Sequence, residues 1–149
     1  MNIWVDADSC PRAIKEILFR VAERTAITVT LIANQPMTIR PSRFIKFIQV
    51  PTGFDLADHE ILRRVMADDL VITADIPLAY EVIEKGAHVI NPRGERYTQD
   101  NIRQQLNLRD FMDTMRFSGI EMGGGPAAMT AKDNQAFANQ LDRFLASRH

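Results

Sequence analysis

Along the first ninety residues, short and almost wholly apolar blocks alternate with longer segments in which apolar positions recur three and four residues apart. The short blocks are rich in β-branched residues, which is typical of strands buried on both faces. The longer segments are typical of helices with one buried face. The predicted strands cover residues 1–5, 27–33, 44–50, 70–73 and 87–90.

Capping residues and prolines mark where the predicted helices begin. Asp8 and Pro11 supply a capping side chain and a first-turn proline, and Asp75 and Pro77 repeat this signature. Residues 130–133 resemble a capping box, in which a threonine and an acid each bond a backbone N–H group of the other. The five predicted helices follow residues 10, 53, 75, 98 and 130.

This order of elements predicts an α/β protein. Strands alternate with helices, and the connections are long enough for the crossovers that parallel strands need. We therefore expect a mostly parallel open sheet of about five strands flanked by helices. Residues 1–149 contain neither an internal repeat nor a linker, which predicts a single domain.

Composition and charge exclude some classes of protein. The chain is 46% hydrophobic and 25% charged, as soluble globular proteins are, and no apolar run approaches the ~20 residues that span a bilayer. The formal net charge of −1 hides basic clusters at 40–46 and 93–116, so nucleic acid stays a possible partner. Cys10 is the single cysteine and no secretory signal precedes the first strand, so we expect a cytoplasmic protein without disulfides.

Five aspartates stand where predicted strands end. Asp6 and Asp8 follow the first strand, Asp55 and Asp58 follow the third, and Asp75 follows the fourth. Parallel strands present their carboxyl ends along one edge of the sheet, so these side chains are expected to converge. Converging carboxylates repel one another and bind hard divalent cations, which prefer oxygen ligands. The sequence therefore predicts a divalent metal site formed by these five aspartates.

Each of these acids also has a simpler role available. Asp8, Asp55 and Asp75 could cap the helices that follow, with Asp58 as the third-position acid of a capping box. If the chain stays extended beyond the first strand, Asp6 and Asp8 lean the same way and can share a cation. The metal site is preferred because three separate strand ends carry acid, and only a shared edge makes all three neighbours.

Four further polar residues are candidates for contacting a substrate. Ser9 lies at a helix amino terminus, where backbone N–H groups favour anions. Asn34 and Thr73 end the second and fourth strands, and Lys132 follows the glycine-rich residues 118–129 at the start of the last helix. A lysine beside exposed backbone amides suits a phosphate group.

Four segments of the chain show a family resemblance. They are Ile3-Trp-Val-Asp-Ala-Asp-Ser-Cys-Pro11, Gly53-Phe-Asp-Leu-Ala-Asp58, Thr73-Ala-Asp75 and Gly125-Pro-Ala-Ala-Met-Thr130. In combination they closely resemble the YaiI/YqxD family of small bacterial proteins, over essentially the whole chain. That family looks like a divergent relative of the PIN-domain nucleases, whose carboxylates bind Mg²⁺ or Mn²⁺ and hydrolyse RNA or DNA phosphodiesters.

The resemblance implies a PIN-like three-layer architecture and a metal-dependent nuclease. It implies catalytic roles for Asp6, Asp58 and Asp75, with Asp55 as the alternative helix acid and with Asp8 and Asp55 assisting. It further implies Mg²⁺ or Mn²⁺ as the cofactor and nucleic acid as the substrate, RNA in preference to DNA.

Two alternatives stay open. The Asp-x-Asp pattern of residues 6–8 also resembles the haloacid-dehalogenase-like phosphatases, with Asp6 as nucleophile, although that family wants a Ser or Thr where this chain has Ala33-Asn34. The second alternative is a PIN-like protein that binds metal, nucleic acid or a protein partner without catalysis, because fold alone does not fix function. The motif Asp8-Ser9-Cys10-Pro11 and the glycine-rich segment depart from the usual nuclease pattern.

Overall fold

The described residues form six strands and five α-helices. The computed structural model describes residues 1–53, 55–117 and 128–148, so most of the glycine-rich residues 118–129, whose backbone amides were considered for phosphate contact, lie outside the described residues. The strands are β1 (Ile3–Asp6), β2 (Val29–Ala33), β3 (Ile45–Gln49), β4 (Leu70–Ile72), β5 (His88–Ile90) and β6 (Arg96–Tyr97). The helices are α1 (Arg12–Thr25), α2 (Leu56–Arg64), α3 (Ile76–Glu84), α4 (Gln99–Phe117) and α5 (Ala131–Ala146).

The strands form one sheet in the order β3-β2-β1-β4-β5-β6. The first five strands are parallel, and β6 is antiparallel to β5. The predicted α/β class with a mostly parallel sheet is confirmed. The sixth strand was not predicted, because Arg96–Tyr97 is only two residues long and too short for any alternation of apolar and polar positions to register.

Helices cover both faces of the sheet and make three layers. Ile3 and Val5 of β1 face a core closed by α1 and α5, while Trp4 between them faces a second core closed by α2, α3 and α4. This two-sided burial explains why β1, β2 and β4 are apolar at nearly every position. None of the described helices is both long and apolar enough to cross a lipid bilayer.

Local signals set the helix starts, with one departure from expectation. The predicted capping box is confirmed, since Thr130 and Asp133 each bond the other's backbone N–H at the start of α5. After β1, however, the backbone turns at once into a short 3₁₀ segment, Ala7–Ser9, before α1 begins. The extended geometry that would align Asp6 with Asp8 therefore ends at Asp6.

The order of the strands creates a crevice at the carboxyl edge of the sheet. From β1 the chain builds outwards through β2 and β3 on one side, and it then crosses back to build outwards through β4 and β5 on the other. The reversal falls between β1 and β4. In open parallel sheets, ligands bind at this reversal, just beyond the carboxyl ends of the strands.

Candidate metal centre

A single threonine links the ends of β1 and β4. The Thr73 hydroxyl donates a hydrogen bond to Oδ2 of Asp6 at 3.0 Å and accepts one from the backbone N–H of Asp75, also at 3.0 Å. Ser9 Oγ donates a second hydrogen bond to the same Asp6 oxygen at 3.2 Å. Thr73 is 1% exposed, so this bridge is buried. Asp6 and Asp75 are thereby held on the same edge of the sheet.

Asp75 caps a helix and also faces the acid cluster. Its Oδ1 accepts a hydrogen bond from the backbone N–H of Leu78 at 3.0 Å, which makes it the N-cap of α3, as predicted. A hydrogen bond between Asp75 and Asp58 contributes to the raised pKa of Asp58, because two carboxyl groups can share such a bond only when a proton lies between them.

The acids at the start of α2 complete the cluster. Asp55 occupies the N-cap position of α2, but its backbone is left-handed (φ 58°) and its side chain makes no capping hydrogen bond, which weakens the simpler alternative that it serves only as a cap. One carboxylate oxygen from each of Asp55, Asp58 and Asp75 lies within 4.8 Å of the others. Two oxygens on opposite sides of a Mg²⁺ ion are about 4.2 Å apart, so only a small closure of these side chains would suit an ion. The donor set, all carboxylate oxygen, is the kind that hard cations prefer.

The electrostatics of the cluster are those of acids without a counter-ion. Burial, followed by the charges of Asp75 and Asp6, raises the pKa of Asp58 to about 7. Burial also raises the pKa of Asp6, although the hydrogen bonds from Thr73 and Ser9 act against it. Within the described part of the chain, no Lys or Arg nitrogen lies within 4.0 Å of these carboxylates. No ion pair among the described residues therefore balances these carboxylates.

Asp8 is directed away from this cluster. Its carboxylate accepts hydrogen bonds from the backbone N–H groups of Asn34 at 2.8 Å and Gln35 at 3.4 Å, at the end of β2. The expectation that Asp6 and Asp8 lean the same way is wrong, because the 3₁₀ turn of Ala7–Ser9 rotates Asp8 towards β2. Its charge nevertheless raises the pKa of Asp6.

The structure divides the four predicted substrate-contacting residues. Ser9 and Thr73 bond directly to Asp6 and therefore belong to the cluster. Asn34 bonds Asp8 through its backbone, one step away from the other acids. Lys132 is exposed in the first turn of α5, and the described residues show no contact between it and the acids.

The acids of α2 and α3 line a small open cleft of about 180 Å³. Three further polar residues line its walls, namely His59, Glu81 and Arg109, and Arg109 belongs to the basic cluster 93–116 of the sequence. His59 and Glu81 follow cluster acids on their own helices by one and six positions. Arg109 lies on α4, more than thirty residues from the nearest acid of the cluster, so nothing in the local sequence associates it with them.

Cys10 lies beside the cluster without being available for chemistry. The side chain is buried, and burial raises the pKa of its thiol to about 12. The charge of Lys15 acts in the opposite direction but is outweighed. A group that stays protonated in this way is a poor nucleophile and a poor metal ligand.

Fold and site together define a three-layer α/β protein with an acidic crevice at the point where its strand order reverses. The family model described as "Uncharacterized BCR, YaiI/YqxD family" matches residues 4–147. The chain belongs to the YaiI/YqxD family, as its motifs predicted. The kinship of this family with PIN-domain nucleases stays a prediction.

Relatives match along the full length of the chain. A UPF0178 protein of Halorhodospira halophila (strain DSM 244 / SL1) is 64% identical over 148 residues, which cover 99% of this chain and 97% of the relative. A UPF0178 protein of Shewanella sediminis (strain HAW-EB3) is also 64% identical, over 149 residues, covering 100% and 99% of the two chains. No solved structure matches the chain.

Proposed function

We propose that this protein is a divalent-metal-dependent nuclease that hydrolyses phosphodiesters, with RNA preferred over DNA. The observation on which this proposal depends is the convergence of acids from three separate strand ends, with no ion pair to a described Lys or Arg side chain. Helix-capping acids also lie along this edge, but capping alone does not require that carboxylate oxygens of Asp55, Asp58 and Asp75 lie within 4.8 Å of one another. The preference for RNA rests on the resemblance to PIN-domain nucleases.

Asp6, Asp58 and Asp75 are the proposed catalytic residues, and Mg²⁺ or Mn²⁺ is the proposed cofactor. Asp55 would complete the ligand set on the exposed side of the cleft. Thr73 and Ser9 would keep the Asp6 carboxylate in a fixed orientation, as residues behind metal ligands commonly do. A bound divalent ion would activate a water molecule and neutralise charge that develops on the phosphodiester.

The phosphatase alternative receives less support from the geometry. It needs the second acid of the Asp-x-Asp pattern beside the first, whereas the Asp8 carboxylate bonds two backbone N–H groups at the end of β2. Trapping of an aspartyl-phosphate on Asp6 would instead support this alternative. The non-catalytic alternative makes a different prediction, namely RNA binding that persists in chelator and never leads to cleavage.

The direct test is cleavage of a single-stranded RNA by purified protein with Mn²⁺ and with chelator. We expect cleavage only with Mn²⁺, and we expect Asp58→Asn to abolish it. Asp110→Asn is the matched control, because Asp110 is an exposed aspartate of α4 that does not line the cleft. Equal cleavage by wild type and Asp58→Asn would show that a contaminant or another site is responsible.

A further inference from the structure

Arg109 brings a positive charge to the acidic cleft. The described lining of the cleft contains four acids, and Arg109 is its one arginine or lysine. The residue lies on α4, which packs against α3, the helix that begins at Asp75. Arg109 therefore faces the cluster from a different helix than those that hold the acids.

The guanidinium of Arg109 is available for a ligand. Its described ion-pair partner is Asp113, one turn along the same helix at 3.7 Å, and the Arg109 side chain is 48% exposed. Exposed pairs of this spacing contribute only about 0.3–0.5 kcal/mol, so a ligand can displace this one at little cost. The guanidinium makes no ion pair within 4.0 Å with Asp55, Asp58 or Asp75, although it shares a cleft with them.

An arginine that shares a cleft with carboxylates and yet stays apart from them leaves room for an intervening group. A divalent ion on the acids would offset most of their negative charge and would present a cation on that side of the cleft, so that an anion could bind between the ion and the guanidinium. Arginine presents two parallel N–H donors, which match the oxygens of a phosphate. The cleft of about 180 Å³ is smaller than the roughly 300–1,000 Å³ of pockets that enclose whole small molecules, so it suits a phosphate group better than a nucleobase.

We infer that Arg109 is a substrate-binding residue that holds the phosphate of the scissile linkage against the metal centre. This inference rests on the proposed function and deepens it, since it assigns the cleft to a phosphate group and gives the cleft no role in recognising the base. Recognition of this kind is independent of nucleotide sequence, because phosphate contacts do not distinguish bases.

The test measures RNA binding apart from cleavage. A fluorescein-labelled single-stranded RNA of twelve nucleotides is titrated with protein in Ca²⁺, and anisotropy reports binding while Mn²⁺ affinity is measured separately by calorimetry. We expect Arg109→Ala to weaken RNA binding at least tenfold and to leave Mn²⁺ affinity within a factor of two. Arg109→Lys keeps the charge without the paired donors and should fall between wild type and Arg109→Ala.

Arg103→Ala is the matched control. Arg103 is an exposed arginine of the same helix that does not line the cleft, so its loss removes the same charge from another place. We expect less than a twofold change in RNA binding. Equal weakening by Arg103→Ala and Arg109→Ala would overturn the inference, because a diffuse attraction to the basic helix would then explain both.

Inorganic phosphate separates failure of this inference from failure of the proposed function. If the wild type neither binds nor cleaves RNA but binds inorganic phosphate in a way that needs both Mn²⁺ and Arg109, the phosphate role stands and the nuclease proposal fails. If RNA is cleaved and Arg109→Ala changes neither its affinity nor its KM, the nuclease proposal stands and the Arg109 role is wrong. RNAs with and without a 5′-phosphate show whether a terminal or an internal phosphate is held.

Discussion

Two buried aspartates lie at opposite ends of the same pair of strands and have opposite surroundings. At the amino edge, Asp69 precedes β4 and is 4% exposed. Its carboxylate accepts three hydrogen bonds at 3.0 Å, from the backbone N–H groups of Asn2 and Met66 and from the indole N–H of Trp4. These donors compensate the cost of removing the carboxylate from water.

At the carboxyl edge, Asp6 is also buried, at 9% exposed, but its hydrogen bonds compensate only part of the cost of removing the carboxylate from water. Its hydrogen-bond donors are the hydroxyls of Ser9 and Thr73, and both act on the same oxygen. Asp58 and Asp75 add negative charge beside it. The comparison teaches that burial of an acid is not itself a mark of function. What distinguishes the carboxyl edge is a cluster of carboxylates that makes no ion pair with any described Lys or Arg.

The largest expected effect is a loss of cleavage activity when an acid of the carboxyl edge is replaced. Asp75→Asn should lower Mn²⁺-dependent RNA cleavage about a hundredfold or more, because the loss of a metal ligand exceeds the effect of losing a supporting residue. The free energy of unfolding should change little, since asparagine caps a helix as well as aspartate does. Cleavage kinetics and urea denaturation of the same preparation test both statements. An active Asp75→Asn enzyme would remove Asp75 from the proposed site.

The next largest effect is a loss of stability when the acid of the amino edge is replaced. Asp69→Ala should lower the free energy of unfolding by about 3 kcal/mol, because one buried and two partly buried N–H donors lose their acceptor. Urea denaturation followed by circular dichroism measures the change. Cleavage per folded molecule should stay at the wild-type level, since Asp69 lies at the far edge of the sheet. A stable but inactive Asp69→Ala protein would mean that the two edges are coupled.

A third prediction concerns the metal binding that we expect at the carboxyl edge. A ligand that binds only the native state stabilises it by about 2.7 kcal/mol at one hundred times its dissociation constant, which raises the melting temperature by several degrees in a protein of this size. Mn²⁺ should therefore stabilise the wild type in thermal melts. Asp58→Asn should abolish most of this shift, whereas Asp110→Asn should retain it. An equal shift in all three proteins would indicate metal binding elsewhere.

The smallest effect concerns pH in the absence of metal. Because the pKa of Asp58 is raised to about 7 by burial and by neighbouring acids, the native state holds this proton more tightly than the unfolded chain does. The contribution of Asp58 is therefore most favourable below about pH 4 and is lost as the pH rises towards 7. Wild type minus Asp58→Asn, measured in chelator by urea denaturation, should show this decline. A difference that stays constant from pH 4 to 8 would contradict the raised pKa.

The carboxyl edge could be anticipated because its acids follow strand ends that the sequence marks clearly. Asp6 and Asp75 come directly after apolar blocks, and Asp75 also bears the signature of a helix cap, which the structure confirms. The orientation of Asp8 and the alternative capping role of Asp55 were misjudged, because both depend on single backbone turns. The 3₁₀ turn after β1 and the left-handed conformation of Asp55 have no pattern in the sequence.

The donors that surround Asp69 at the amino edge, and the position of Arg109 in the acidic cleft, could not be anticipated. Asp69 finds its donors at Asn2 and Trp4, more than sixty residues away, and Asp68-Asp69 resembles an ordinary polar break between two elements. Arg109 reaches the cleft only because α4 packs on α3. Each of these contacts joins segments that are distant in the chain.

Periodicity along the chain was enough to determine the class of fold and the ends of the strands from which the acids project. Hydrophobic spacing predicts these features because buried positions recur at short, regular intervals along a strand or a helix. Only the tertiary structure decided which acids meet, which one is drawn away, and which arginine joins them. Those outcomes depend on the directions of side chains and on the packing of helices. A backbone turn at a single residue changes which side chains meet, and no local sequence pattern indicates such a turn.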